Sequence, residues 1–132
     1  MKNPFLKIFG TYPKPVPEAV KDELDKHFPN AINVEWEHKK SDYEAVFYLN
    51  DVEHIARISD TGELTEFKKN LWPEELPETI ATKSREWGEV MNSIAIFKSG
   101  ACLYEVIIRD TLFKRKLLLF DESGNLLNAG KL

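Results

Sequence analysis

"VPEAVKDELDKHFPNAINVEWE" occupies Val16–Glu37, and "LPETIATKSREW" occupies Leu76–Trp87. Each begins with an apolar residue, a proline and a glutamate, and each leads into strand-like sequence. That shared opening decides the fold. Pro17 has the fixed φ and missing N–H that suit a first helical position. Glu18, Asp22 and Glu23 sit near the positive end of the helix dipole. Val16, Val20, Leu24 and Phe28 recur every four residues and make one apolar stripe for packing. Pro29-Asn30 ends the helix.

Strand signals follow immediately. "NVEWE" alternates, with Val34 and Trp36 on one face and Asn33, Glu35 and Glu37 on the other. "DYEAVFYLNDVEHIARIS" (42–59) reads as a hairpin with a two-residue turn at Asn50-Asp51. That turn pairs Leu49 with Val52, Phe47 with His54, Glu44 with Arg57 and Tyr43 with Ile58. It places Tyr43, Ala45, Phe47, Leu49, Ala56 and Ile58 on a core face. Asp60-Thr61-Gly62 turns into a short fourth strand, "ELTEF".

The second half repeats this plan. Pro17 matches Pro77, and Val34-x-Trp36 matches Ile94-x-Ile96, at the same spacing. Tyr43-Glu44 matches Tyr104-Glu105 one residue further on, and Gly62-x-Leu64 matches Gly124-x-Leu126 one further again. Length changes confined to turns are the mark of a duplicated structural unit. The expected fold class is therefore α+β: two tandem α-β(4) repeats, about 15–68 and 75–130, forming one antiparallel sheet with the helices on one face. The whole chain, 1–132, is read as a single domain, with 1–14 as an irregular leader containing Pro4, Gly10 and Pro13. Neither unit can bury its helix and sheet alone, whereas two side by side can. Trp72 and Trp87 are read as core or seam residues that hold the halves together.

Composition narrows the function classes. A chain of 132 residues can bury a core without disulfide or metal. A net charge of −4 opposes attraction to nucleic acid or anionic lipid. The cationic run Lys114-Arg115-Lys116 splits between two faces if it lies in a strand. The single Cys102 excludes an intramolecular disulfide and reads as a small buried apolar residue. No apolar stretch approaches the ~20 residues of a spanning helix. The N-terminus lacks a continuous apolar signal region, so the chain as it stands is expected in the cytoplasm. A processed form would be periplasmic or secreted.

The ordered pieces "VPEAV", "FPNA", "VEWE", "YEAVF" and "DTGEL", with "LYEVIIRDTLFKRKLLLFDESGNLL" in the second half, resemble a known family. It is the PepSY-like, β-lactamase-inhibitor-like group, and the resemblance spans about residues 15–130. It implies helices against one face of a sheet whose other face is open. It also implies secreted or periplasmic bacterial relatives of unassigned function, with no catalytic motif to carry over. The chain departs from the pattern at "REWGEVMN", where a second "FPNA" is missing.

The residues suggest no reaction. His27, His38 and His54 fall in separate elements without metal-ligand spacing, with His54 read as a satisfied, semi-buried side chain. Glu35, Glu37, Glu44 and Glu53 alternate as a solvated sheet face does. No nucleophile elbow, Walker loop or dinucleotide loop occurs. The expectation is therefore no catalytic residue, no cofactor and no metal. The outward face offers more, because aromatic, aliphatic and Arg side chains mixed together resemble interface centres. Val46, Tyr48, Ile55 and Arg57, joined through the repeat by Ile107 and Arg109, are the candidate partner-binding residues. Tyr48 and Arg57 would anchor, with Val46 and Ile107 adding apolar contact. Either Leu117 or Leu118 faces outward, depending on the preceding hairpin. The expected function is a non-enzymatic module holding an unidentified protein or peptide on the open face, inhibitor-like. Alternatives are a small-ligand or metal-binding sensor, and a self-associating structural domain that forms a homodimer.

Overall fold

A computed structural model describes residues 15–132; the leader expected over 1–14 lies outside them. Helix α1 (Glu18–His27) is followed by strands β1 (Ile32–Lys39), β2 (Asp42–Leu49), β3 (Val52–Ser59) and β4 (Leu64–Asn70). A short 3-10 turn (Pro73–Glu75) leads to α2 (Glu78–Trp87), then β5 (Glu89–Lys98), β6 (Ala101–Arg109), β7 (Arg115–Phe120) and β8 (Leu126–Lys131). The eight strands form one antiparallel sheet in sequence order. The fold is α+β, and adjacent pairing throughout is what short connections favour.

The β2–β3 hairpin has the register its turn chemistry specifies: Tyr43 opposite Ile58, Glu44 opposite Arg57, Phe47 opposite His54, Leu49 opposite Val52. Asn50 and Asp51 both take positive φ (49° and 64°), the requirement of the tightest two-residue turn. Alternate residues then separate into two faces. Tyr43, Ala45, Phe47, Ala56 and Ile58 are buried under Val20 and Leu24 of α1. Val106, Ile108, Leu118 and Phe120 are buried under Ile80 and Ala81 of α2. Leu118 therefore faces the helices and Leu117 faces away. The "ELTEF" strand is longer than expected and continues to Asn70.

Both helices are tied to the turn before their unit's last strand. In α1, the Glu23 carboxylate accepts the Leu64 N–H at 2.8 Å. In α2, the Lys83 ammonium donates to the Gly124 carbonyl. The repeat thus performs one task with opposite charges. Gly62 and Gly124, at φ of +89° and +87°, bring these turns against Ala19 and Thr79, and an added Cβ would lie 3.0 Å from the Ala19 carbonyl oxygen or 2.9 Å from the Thr79 methyl.

Two expectations are corrected. Trp72 and Trp87 do not hold the seam, being 53% and 39% exposed. The seam is the β4–β5 ladder together with Phe67 and Phe97, which face each other across it with stacked rings 4.4 Å apart. A flat ring pair fits between two facing strands, whereas Trp72 lies in the connection after β4 and Trp87 ends α2, both outside the ladder.

The second correction concerns the repeat. Trp36 pairs with Ala45, on the helix side, but Ile96 pairs with Leu103, on the opposite side. The residue that takes Trp36's place is Ser93, which pairs with Val106. The unit lost the FPNA connector, because Gly88 alone links α2 to β5. Its backbone approaches the Arg109 carbonyl too closely for any Cβ. It regained length in the β5–β6 hairpin, which runs one pleat further than β1–β2. The two changes nearly cancel, so the spacing looks preserved while the faces are exchanged.

Candidate functional site: the open sheet face

All six candidate residues point away from the helices. Val46 and Ile55 are direct cross-strand neighbours, and their row continues through Lys68 and Ile96 to Leu103. The adjacent row runs from Asn70 through Ile94 and Glu105 to Leu119. Beyond it, Ile107 lies between Asn92 and Leu117. The face is a band of aliphatic side chains crossed by charged ones.

The six are not gathered at one point. Val46, Tyr48, Ile55 and Arg57 are contiguous on β2 and β3. Ile107 and Arg109 lie on β6, roughly 15–20 Å away across the intervening strands. The space between is filled by Ile94, Ile96, Leu103, Leu117 and Leu119, which sequence reasoning did not single out. Strand β5 explains the omission. It presents Ser93 and Ala95 toward the helices and Ile94 and Ile96 toward the open side. In its central stretch, Ser93–Ile96, the larger apolar groups therefore face outward, while Val90 and Phe97 nearer its ends lie on the helix side. Ile96 is only 6% exposed even so, flanked by the Lys68 stem and Leu103. The signal was present in "SIAIFK", but the repeat spacing matches its isoleucines to Val34 and Trp36, and Trp36 lies on the helix side.

Three of the candidate side chains on this face have polar partners. Arg57 Nη2 lies 3.6 Å from Glu44, while its Nε is buried without a hydrogen-bond partner. Tyr48 donates its hydroxyl to Glu53 at 3.3 Å, and the negative charge of Glu53 raises the Tyr48 pKa above its ordinary 10.0. Arg109 bonds Glu89 at 2.9 Å and lies over the Phe113 ring at 5.6 Å. A shallow cleft of about 340 Å³ opens beside Tyr48, lined also by Asp51, Glu53, Asn70, Trp72 and Asn92. It extends the face with a second exposed aromatic, Trp72.

The histidines and Cys102 make local contacts within the fold. His54 is buried, stacks on Phe47 at 5.5 Å, and its Nδ1 lies 2.9 Å from the Val52 carbonyl. His38 stacks on Tyr43, and His27 bonds Glu23 one helical turn back. Cys102 is half-buried. Its neighbour Tyr104 has a pKa raised to about 12, chiefly because burial disfavours the phenolate. Among the described residues, no three His, Cys, Asp or Glu side chains are grouped to hold a metal ion. No helix among them is long and apolar enough to cross a membrane.

No protein-family model matches the chain, and no curated protein matches it in sequence. Among proteins of known structure, several share the fold. A BLIP-like protein from Bacteroides fragilis superposes with a TM-score of 0.79 at 22% identity, over 94% of this chain and 92% of its own. A protein provisionally described as periplasmic, from Bacteroides eggerthii, gives 0.80 at 18% identity, over 89% of this chain and 90% of its own. A DUF2874 family protein from Bacteroides uniformis gives 0.78 at 20% identity, over 87% and 88%. The chain has a BLIP-like fold.

Proposed function

We propose that the chain is a non-enzymatic binding module that captures a protein or peptide on its open sheet face. The observation that carries this is the inverted strand β5. Its isoleucines lie at the middle of the sheet on the side away from both helices. Packing against the helices gains nothing from these two isoleucines, whereas an interface centre needs apolar groups on that side. Tyr48, Trp72, Arg57 and Arg109 around the aliphatic band supply the residue types that most often dominate interface energy.

An inhibitor-like role, in which a partner's activity is blocked by capture, is supported by likeness of fold alone. The resemblance of "VPEAV…FPNA…VEWE" to PepSY-like sequences and the structural likeness to a provisionally periplasmic protein support a periplasmic setting.

The test is capture from a lysate of the native cells on the immobilised chain, repeated with Tyr48→Ala combined with Arg109→Ala, and with Ile107→Glu. The parent should retain a discrete protein. Each variant should remain folded by circular dichroism and bind at least about tenfold more weakly, equivalent to ~1.4 kcal/mol. Equal capture by folded variants removes the face from consideration.

A further inference from the structure

A second surface lies at the end of the sheet where β6 turns into β7. The turn is Asp110–Lys114, closed by the Asp110 N–H donating to the Lys114 carbonyl at 2.8 Å. Its apex displays Leu112 and Phe113, 72% and 77% exposed and therefore among the most exposed apolar residues described. Phe113 holds a left-handed φ of 62°, a conformation costly for a bulky residue and normally given to glycine. The apex is rigid all the same, because the Asp110 carboxylate accepts both the Leu112 and Lys114 N–H groups. Local strain and exposed apolar area both persist where folding gains nothing from them.

Cations surround the apex. Lys114 and Arg115 follow it directly, and Arg109 precedes it on the paired strand. Lys116 lies over the Trp87 ring at 5.5 Å, so the half-exposed indole belongs to the same end of the molecule. Lys131 pairs with Lys116 from the last strand. The carboxylates nearby are Glu86, Glu89 and Asp110, of which Glu89 pairs with Arg109, while Lys114, Arg115, Lys116 and Lys131 have no ion-pair partner among the described residues and outnumber the remaining two. The alternation that sends Arg115 and Lys116 to opposite faces of β7 does not separate them at a sheet end, where both faces meet solvent together. A chain of net charge −4 thus carries a locally basic pole.

We infer that this pole docks on an anionic phospholipid surface, with Leu112 and Phe113 entering the acyl–headgroup boundary and the Lys/Arg collar meeting lipid phosphates. Charge complementarity selects that occupant, because a protruding apolar apex ringed by cations matches an anionic, deformable plane without needing a fitted cavity. Trp87, at the collar's level, is the residue type that favours the interface between headgroups and chains. The inference shares Arg109 with the open-face reading, but the apex residues Leu112 and Phe113 lie outside that band, and the variants below leave Arg109 unchanged.

The test is vesicle co-sedimentation of the full chain, using phosphatidylcholine alone and phosphatidylcholine with about a third phosphatidylglycerol. The parent should sediment with the anionic vesicles at low salt, weaken by about tenfold in high salt, and ignore the neutral vesicles. Leu112→Ser with Phe113→Gly should lose about tenfold or more while unfolding no more easily, since glycine relieves the left-handed strain. Lys114→Glu with Arg115→Glu should lose as much. The inference is overturned if the parent ignores anionic vesicles, leaving an acidic protein as occupant, or if the apex variant sediments as the parent does.

Discussion

Ser84 stands in α2 where Leu24 stands in α1, and the exchange is visible as an energetic defect. Leu24 fills the core beneath its helix, whereas Ser84 is fully buried and its hydroxyl has no hydrogen-bond partner. A buried hydroxyl without a partner costs about 1–3 kcal/mol in lost hydration, and serine is also a weaker helix former than alanine. Ser84→Ala should therefore raise unfolding stability by about 1 kcal/mol. Urea denaturation checks this, and a destabilised variant would mean that the hydroxyl is satisfied in solution. At this scale the sequence was legible wherever identity fixes conformation. Asn50-Asp51 as a tight turn and Gly62 and Gly124 as turn glycines follow from backbone sterics alone. The tryptophans were not legible, because size predicts a wish for burial but not which connection or helix end carries the residue clear of the sheet.

At the scale of elements, acid stability depends on carboxylates that tie down turns, Glu23 of α1 among them. The Glu23 carboxylate is held below its ordinary 4.5, first by the Leu64 N–H and then by His27, against an opposing desolvation cost. Asp110 and Asp121 are likewise lowered from 3.8, the first chiefly by the Lys114 N–H and the second chiefly by the Asn125 side chain. A lowered folded-state pKa contributes stability that is fully present above the unfolded value and is lost as pH falls through the folded one. Stability should thus decline from about pH 4.5 downward. Glu23→Gln keeps an acceptor for the Leu64 N–H but does not titrate, so its stability–pH curve should be flatter below pH 4.5. A parallel decline in both proteins would place the acid sensitivity elsewhere. The helices and the β2–β3 hairpin were readable as elements because period and turn chemistry agree. The face of β5 was not. A loss at Gly88 and a gain in the β5–β6 hairpin offset each other in residue count, and only the ladder shows that Ser93, not Ile96, faces α2.

At the scale of the whole molecule, two apolar cores lie under two helices and are joined across one ladder. Phe67 packs against the first core and stacks on Phe97 of the second unit, so it couples the two. Phe67→Ala should cost about 2–4 kcal/mol, somewhat less than a fully buried phenylalanine, and should broaden or split the calorimetric transition as the halves unfold separately. One sharp transition at the parent midpoint would show that backbone pairing alone holds the seam. By itself, the sequence determined the two units, their order and the register of the β2–β3 hairpin. These rest on local steric and periodic rules that act within a few residues. Only the tertiary structure decided which residues close the seam, which side β5 shows to the helices, and that the β6–β7 cations collect around an exposed apex. Each of those depends on where a strand lies relative to its neighbours, and a single displaced pairing reverses every side chain along it.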